Sequence, residues 1–518
     1  MGIYDGFSAA EKKNLTVYIG GIMCYKFALE TLTGCMSNIV LTRYTNSPAA
    51  IWGTVVSINY ACQSIGSLLV SPLIKRFPTS RVLSMSILLF GILVAIIPIL
   101  EIATGGGSTG LGDEKKYKAG NWDPLVVCIL FPAVGIFHGI VELIRRVIPR
   151  DIVGGDPVKL KKMDSTVHIL YETAGTAGAL LSRYWIGYFN YAYSLALIPI
   201  FFTGAALIWS RIANTEHKLA STGHVSRGFF PETLSIFKSF FHSVWLGLKL
   251  VCFNRSLVWL IPAYTFPLVL HRYLENVLFA HYANFGLAKG SYQQLLVSGS
   301  NFGELCGAFF VLMFADAVKT PIPWLRLDAI MLMVVWILPL ATPFGDTEGW
   351  VWFLAACMIP VSFGWAAGDV SLVAYVQSRL SKHEDDNAAV SPLGSVMSFL
   401  YVAYIVIFAL VNTWVGKIQD SYVADLIKKY GSAKKFPPLA GMAQTRDAMF
   451  WTAGVAVSVS AIIIFLATFI PKGSFALNPD VIGDDHEDDQ IDKALDFHTK
   501  GTELDKEARE AVKDAVLG

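Results

Sequence analysis

Long apolar runs separated by short polar segments dominate the chain. Twelve of these runs are long enough to cross a membrane, because a hydrocarbon core of about 30 Å needs about 20 helical residues. They lie at 17–42, 49–73, 81–103, 124–147, 163–189, 192–211, 257–284, 291–315, 328–343, 350–378, 391–416 and 449–471. The runs lack the two-residue alternation of a membrane barrel, and a helix pairs its backbone groups internally. The pattern therefore predicts an all-α integral membrane protein with twelve transmembrane helices.

The polar segments divide the chain into five parts. We expect a cytosolic segment at 1–16, a six-helix bundle at 17–211, a cytosolic linker at 212–256, a second six-helix bundle at 257–471 and an acidic cytosolic tail at 472–518. Within the linker, residues 231–252 carry apolar side chains at helical spacing, which indicates an amphipathic helix at the membrane surface. The tail is hydrophilic, and we expect it to be mostly flexible.

The distribution of Lys and Arg sets the expected orientation. With the amino terminus inside, the cytosolic loops hold more basic residues than the opposite loops, which predicts that both termini are cytosolic. The loop at about 417–448 runs against this trend, but a loop of this length can cross the membrane regardless of its charge. The sequence leaves open whether the membrane is the plasma membrane or that of an organelle.

Composition supports a membrane protein and narrows its partners. Of the 518 residues, 54% are hydrophobic and 16% are charged, whereas about 25% are charged in a typical soluble protein. The formal net charge of +1 gives no global excess that points to nucleic acid. The seven Cys form neither a paired framework nor a metal-binding motif. We expect a monomer in the lipid bilayer, with no cofactor and no metal site.

The sequence contains no familiar catalytic signature. A P-loop, a GxSxG motif, an HExxH motif and a Rossmann fingerprint are all absent from it. No pairing of a nucleophile with a base is evident, and the chain has no room for the nucleotide-binding domain of an ATP-driven pump. We therefore expect a protein that is not an enzyme.

The two halves of the chain show weak internal similarity. Four pairs of predicted helices carry similar patterns, namely Lys26–Glu30 with Arg272–Glu275, Asn59–Gly66 with Asn301–Gly307, Pro132–Gly139 with Pro360–Gly368, and Trp185–Gly187 with Trp414–Gly416. These pairs fall on helices 1 and 7, 2 and 8, 4 and 10, and 5 and 11. Such a repeat is a known way to build an alternating-access pore from two parallel halves.

On these features the chain resembles the major facilitator superfamily, over roughly residues 15–472. The resemblance implies two pseudo-symmetric six-helix bundles whose helices 1, 4, 7 and 10 line a central cavity. The loop at 71–81 departs from the family pattern, with Lys75 at the usual acid and Pro78 at the usual glycine, so the subfamily stays open. The segment at 148–156 is faintly similar to drug-exporter branches of the family.

Polar and ionisable side chains inside the predicted spans are the candidate functional residues. An unpaired charge at the bilayer centre costs at least about 2.5–3.5 kcal/mol, so such groups should face a cavity or a partner. The candidates for substrate binding or ion coupling are Lys26, Glu30, His138, Arg272, Glu275, Glu304 and Asp369, with Tyr60 and Trp365 as aromatic contacts. Asp369 has no basic residue within one helical turn, and a lone buried carboxyl group favours its neutral, protonated form.

Structural roles compete with these functional ones. Lys26 with Glu30, and Arg272 with Glu275, are each one turn apart, so each couple can neutralise itself within its helix. Glu304 can alternatively face a neighbouring helix.

Helices 4 and 5 carry further polar residues. His138 lacks a second His at helical spacing, so a buried core histidine is the alternative to a proton relay or metal ligand. Glu142 is followed by Arg145 and Arg146 at the cytosolic end of its helix, which indicates a gating salt bridge. Arg183 is expected to extend to the outer membrane interface.

Together these features predict a secondary active transporter that moves a small solute by alternating access. The leading hypothesis is proton-coupled export of an organic compound, with Glu30, Glu275 or Asp369 binding the proton. Two alternatives stay open. One is cation-coupled uptake of a nutrient or metal ion, and the other is a non-transporting receptor or scaffold whose acidic tail binds a cytosolic partner.

Overall fold

The computed structural model describes residues 6–74, 76–108, 117–153, 157–213, 229–314, 317–380 and 392–483, and helices form most of this part of the chain. The first half contains α1 (Ala9–Arg43), α2 (Pro48–Ile74), α3 (Thr79–Ala103), α4 (Leu125–Val153), α5 (Pro157–Ser194) and α6 (Leu197–Trp209). Between α3 and α4, the short strands β1 (Gly107–Ser108) and β2 (Tyr117–Lys118) pair in antiparallel fashion.

The second half begins after α7 (Phe229–Phe253). Its first segment, residues 255–286, alternates α8 (Arg255–Val258), α9 (Phe266–Tyr273) and α10 (Phe279–His281) with three π-helical turns at Ile261–Thr265, Leu274–Leu278 and Tyr282–Gly286. The remaining helices are α11 (Tyr292–Met313), α12 (Ile322–Met331), α13 (Ile337–Leu340), α14 (Thr347–Leu380), α15 (Pro392–Tyr430), α16 (Met442–Met449) and α17 (Ala456–Ala467). Helical structure overlaps each of the twelve stretches predicted from the sequence.

Eight helices of the described residues are long and apolar enough to cross a membrane, and a ninth is added if the bent pair 166–194 and 197–209 counts as one span. One of the eight lies in α7, at Thr233–Phe253. Length and apolarity do not single out α1, whose middle carries Lys26 and Glu30. These helices are nevertheless too numerous and too apolar for anything but a multi-pass membrane protein.

The boundary between the fifth and sixth predicted spans coincides with a local break in α5. Asn190, inside α5, has a φ of 64°, which breaks the helix locally. Its side-chain Oδ1 accepts a hydrogen bond of 3.0 Å from the backbone N–H of Ala192, as an N-cap residue does. Asn190 lies between the predicted spans 163–189 and 192–211. A bend of 86° follows a few residues later, between the segments 166–194 and 197–209.

Glycines bring the backbones of α2 and α4 into direct contact. A Cβ atom at Gly66 would lie 1.9 Å from the carbonyl oxygen of Ile136, and one at Gly139 would lie 1.9 Å from that of Gln63. No side chain fits in such a space, so these positions require glycine. Small residues allow this close approach of helices in membranes, where the hydrophobic effect does not drive helix association.

The pair α11 and α14 uses the same device in the second half. Cβ atoms at Gly299, Gly303 and Gly307 would lie 2.1–2.4 Å from carbonyl oxygens of α14. The sequence match of Gly135 and Gly139 with Gly364 and Gly368 does not correspond to equivalent contacts. Gly364 and Gly368 of α14 face α12. The glycines at the contact between α11 and α14 all lie on α11.

The apolar core is continuous at one end of the molecule and divided at the other. One large cluster joins the first half to the part of the second half that includes Leu278, Leu296 and Phe408. A separate cluster contains Trp259 and Leu400, at the opposite end of the second half. The halves therefore share a core at the end where α1 meets α2, which we call the closed end.

Several polar contacts join the halves at the closed end. The carboxylate of Asp420, in α15, accepts hydrogen bonds of 2.9 Å from the backbone N–H groups of Ala49 and Ala50 at the start of α2. Lys434 donates a hydrogen bond to the carbonyl oxygen of Tyr117. Burial and the adjacent Glu101 carboxylate raise the pKa of the Tyr117 phenol above its ordinary value, so this hydroxyl donates to Glu101 as a neutral group.

The first twelve residues of the predicted tail, 472–483, are packed against the second half. Residues 472–483 pack against α12 and α14, and Ile482 belongs to the apolar cluster of that end. The guanidinium group of Arg326 donates hydrogen bonds to the carbonyl oxygens of Ser474 and Ala476, at 2.5 and 2.6 Å. These contacts give the segment a fixed path, which its hydrophilic composition did not indicate. The acidic remainder, 484–518, lies outside the described residues.

Within the linker, α7 packs along α15. A Cβ at Gly247 would lie 2.0 Å from the carbonyl oxygen of Ser395, and the hydroxyl groups of Ser243 and Ser395 are 3.2 Å apart. Its placement at the membrane surface stays a prediction.

Replacing Gly139 by Ala should lower the free energy of unfolding by about 1–3 kcal/mol, because the added methyl group would overlap the α2 backbone. Gly204→Ala is the matched control, since no atom lies within 4 Å of a Cβ at that helical glycine. Thermal unfolding of the purified protein in detergent measures both effects. Equal melting temperatures for the two variants would contradict the close contact of α2 and α4.

Candidate functional site

A polar cavity of about 350 Å³ is lined by residues from both halves of the chain. The walls come from α1, α2, α4 and α5 in the first half, and from the 255–286 segment, α11, α14 and α15 in the second. The resemblance implied only helices 1, 4, 7 and 10, but helices 2, 5, 8 and 11 contribute as well. The charged residues that line the cavity are Lys26, Arg145, Arg272, Glu30, Glu142, Glu172, Glu275, Glu304 and Asp369.

Lys26 and Glu30 form an ion pair within α1. Lys26 Nζ lies 2.5 Å from Glu30 Oε1, and both side chains are mostly buried. The ammonium group also lies 4.9 Å from the centre of the Tyr171 ring. The second half contacts the same turn, since the side-chain amide of Gln294 donates a hydrogen bond of 2.6 Å to the carbonyl oxygen of Glu30. The pair neutralises itself and faces the cavity at the same time.

Glu142 is the centre of a polar cluster in the first half. Its carboxylate accepts hydrogen bonds from Arg145, at 2.7 and 3.1 Å, and from the hydroxyl groups of Tyr25 and Tyr171, at 3.0 and 3.3 Å. His138 Nε2 lies 3.9 Å away, so this histidine belongs to the cavity wall. Glu142 and Arg145 thus pair as the sequence suggested. Arg146 also belongs to α4, but its side chain lies outside the described part of the structure.

A second cluster forms where the 255–286 segment meets α11. His271 Nε2 lies 2.5 Å from Glu304 Oε1 and 3.4 Å from Glu275 Oε2. Arg272 Nη1 lies 3.5 Å from the same Glu275 oxygen, and Ser300 donates a hydrogen bond of 2.7 Å to Oε1 of Glu275. The π-helical turn Leu274–Leu278 includes Glu275, and the turn Ile261–Thr265 precedes the helix that carries His271. π-Helical turns are frequent at functional sites.

Aromatic residues complete the wall of the cavity. The ring of Trp365 stacks on that of His271, with centroids 4.9 Å apart and planes 16° apart. Tyr60 makes edge-to-face contacts with Tyr404 and Phe408, and its hydroxyl accepts a hydrogen bond of 3.1 Å from Asn276. Both Trp365 and Tyr60 line the cavity, and so does Asp369.

Arg183 contacts the second half of the chain. Its side chain is buried and lies 3.3 Å from Glu348, near the start of α14, and its position relative to the membrane interface stays a prediction. The guanidinium group also lies 4.7 Å from the centre of the Tyr292 ring. Arg183 belongs to the first half, and both Glu348 and Tyr292 belong to the second. These contacts therefore join the two halves.

Sequence reasoning missed two residues as candidate sites. Glu172 lines the cavity, and His271 is buried against Glu275 and Glu304, which line it. The sequence shows His271 only as a neighbour of Arg272. Its carboxylate partner Glu304 lies on another helix, so no linear motif marks them. Glu172 could have been found by counting every carboxylate inside the predicted spans. Its Oε2 atom is buried and has no hydrogen-bond partner among the described residues.

A family model described as Major Facilitator Superfamily matches residues 19–407. The chain belongs to the major facilitator superfamily. It is accordingly an integral, multi-pass membrane protein of a transporter family. No curated protein sequence matches it.

Solved transporter structures share this fold. A D-xylose–proton symporter is similar over 88% of this chain and 97% of its own, with 12% identity and a TM-score of 0.56. A bacterial homologue of the human lysosomal transporter Spinster, in an inward-facing and unoccupied conformation, covers 89% and 98%, with 12% identity and a TM-score of 0.56. A peptide transporter covers 88% and 94%, with 13% identity and the same TM-score. At these identities the similarity concerns the fold alone.

Glu142→Ala should lower the free energy of unfolding by about 1.5–3 kcal/mol, because it leaves the Arg145 guanidinium without its carboxylate. Combining it with Arg145→Ala should cost less than the sum of the single changes, by about 0.5–3 kcal/mol for groups in contact. Thermal unfolding of the four variants of this cycle measures the difference. Additive losses would show that the pair contributes no mutual stabilisation.

Proposed function

We propose that this superfamily member is a secondary active transporter that moves a small polar solute by alternating access. The observation that carries the proposal is the charged cavity, since its walls come from both halves of the chain. A relative movement of the halves would expose such a cavity to one side of the membrane and then to the other.

The packing of the helices supports twelve spans in two related six-helix bundles. In the first half α2 packs against α4, and in the second half α11 packs against α14, which are the corresponding predicted spans. Between the halves, α5 packs against α11 and α2 packs against α15. In the numbering of the predicted spans these contacts are 5 with 8 and 2 with 11, which a twofold relation between the bundles interchanges.

The arrangement of the cores supports an inward-facing state. The halves share one apolar cluster and several polar contacts at the closed end, whereas the second half has a separate cluster at the other end. A cavity between them would open toward that other end, which also carries the start of α1. With cytosolic termini, as the distribution of Lys and Arg predicts, this opening faces the cytosol.

The lining of the cavity supports a hydrophilic solute. Six carboxylates and three Lys or Arg side chains line it, together with amide side chains such as Asn59, Gln63 and Asn301. Polar groups placed in a pocket fix the orientation of a ligand that can pair with them. The leading hypothesis from the sequence was export of an organic compound. The aromatic contacts at Tyr60 and Trp365 fit an organic part, and the charges fit a polar one.

Proton coupling is supported by the ion pairs that line the cavity. Protonation of Glu30 would release Lys26, and protonation of Glu275 would release Arg272, so that either event changes the charge presented to the solute. Asp369 is the third candidate for proton binding. The xylose symporter named above couples transport to protons, and we infer the same energy source here, with the protein acting as a monomer.

The first experiment identifies a solute and then tests the acids. A thermal-shift screen of the purified protein against polar metabolites, organic drugs and metal salts should reveal a ligand, because binding to the folded state raises its stability. In proteoliposomes, neutralising Glu30, Glu275 and Asp369 together as Gln, Gln and Asn should lower proton-driven transport of that ligand by at least about fivefold.

Asp425→Asn is the matched control, because Asp425 is exposed on α15 and lies outside the cavity. It should leave transport unchanged. Undiminished proton-driven transport by the triple variant would contradict coupling through these acids. Removing the tail from residue 484 separates the receptor alternative, since a carrier should keep its transport and a scaffold should lose its partner.

A further inference from the structure

Three groups that can bind a metal ion converge beside the cavity, where Glu275 and Glu304 line the wall and His271 is buried against them. Nε2 of His271 and carboxylate oxygens of Glu275 and Glu304 all lie within 4.8 Å of one another. Donor atoms that share one ion at about 2.1 Å lie roughly 3–4 Å apart. The His271–Glu275 separation of 3.4 Å already fits this range, and the 2.5 Å contact of His271 with Glu304 would widen by about 1 Å.

We propose that His271, Glu275 and Glu304 form a binding site for a divalent transition-metal ion. An imidazole nitrogen with two carboxylates suits Zn²⁺, Mn²⁺, Fe²⁺ or Co²⁺, whereas Mg²⁺ and Ca²⁺ prefer oxygen ligands alone. Glu275 and Glu304 also line the cavity, so water or a solute can occupy the remaining coordination positions. A site with such open positions exchanges its ion more readily than a closed structural site.

A buried carboxylate of the facing half lines the same cavity as Glu275 and Glu304. Glu172, in α5, is 4% exposed, and its Oε2 atom has no hydrogen-bond partner among the described residues. Glu172 belongs to the first half and Glu304 to the second, so carboxylates of both halves face one cavity. A divalent ion held by Glu275 and Glu304 would attract the Glu172 carboxylate.

Neighbouring groups hold the three ligands in position. Ser300 donates a hydrogen bond to one oxygen of Glu275, which leaves the other oxygen directed at His271. Stacking on Trp365 holds the plane of the His271 ring.

Two positively charged side chains lie near the site, and each contacts a carboxylate. Lys26 pairs with Glu30, and Arg272 contacts Glu275 from the cavity side. The flexible guanidinium of Arg272 is 41% exposed and can withdraw into the cavity. The carboxylates then remain in excess, which favours a divalent cation.

Metal binding needs no transport cycle, so it can be measured on the purified protein apart from the proposed function. We expect one Co²⁺ per chain by isothermal titration, with the visible absorption of Co²⁺ bound to nitrogen and oxygen. Zn²⁺ should displace Co²⁺, and Mn²⁺ should bind more weakly than Co²⁺. A tenfold excess of Mg²⁺ should not compete.

His271→Ala and Glu304→Gln should each weaken Co²⁺ binding by at least about tenfold, since even outer-shell changes cost 10–100-fold. His242→Ala is the control for removal of a histidine, because His242 lies on α7 outside the cavity. Size-exclusion profiles and melting temperatures establish that each variant is folded. If His271→Ala does not fold, Glu304→Gln alone decides.

Unchanged Co²⁺ affinity in a folded Glu304→Gln variant would overturn the proposal, and so would the absence of Co²⁺ binding by the unaltered protein. Transport that persists without metal binding would leave the proposed function intact. Metal binding without transport of any tested solute would instead refute the carrier and leave the site standing.

Discussion

The structure depends on one constraint, which is that an ionised side chain inside a membrane needs a partner or water. The chain meets it by collecting the charges of both halves around one cavity. Glu30 is paired with Lys26, Glu142 with Arg145, and Glu275 with Arg272. Other contacts, such as that of His271 with Glu304, join different helices. Charged groups around the cavity therefore have a second possible partner nearby. A small change in protonation or ligand therefore alters the pairing without exposing a charge to lipid.

Close helix packing gives this cavity stiff walls. Glycines bring α2 against α4 and α11 against α14 so closely that the backbones themselves touch. In the alternating access proposed above, each half would move as a body, and the contacts between the halves would decide the state of the molecule. Those contacts concentrate at the closed end, where the Asp420 carboxylate binds the start of α2. Opening that end requires this buried acid to exchange two backbone donors for water.

Much of the architecture could be predicted from the sequence, because apolar length alone marks a membrane helix. The in-span charges were also found this way, since Lys26, Glu30, Arg272, Glu275, Glu304 and Asp369 all line the cavity. Relations between distant helices could not be found. No linear pattern places Glu304 beside His271 or Glu348 beside Arg183, and the packed path of residues 472–483 depends on Arg326, which lies about 150 residues earlier.

The most direct test is the accessibility of the cavity to a charged, membrane-impermeant thiol reagent, in a variant with all seven Cys replaced. Thr33→Cys lies in the cavity wall, Ile92→Cys on the exposed face of α3, and Ala49→Cys at the closed end. The account predicts rapid labelling of position 33 from the side that carries the amino terminus, and slow labelling of positions 92 and 49 from either side. Labelling of position 33 no faster than that of position 92 would contradict a water-filled cavity between the two halves.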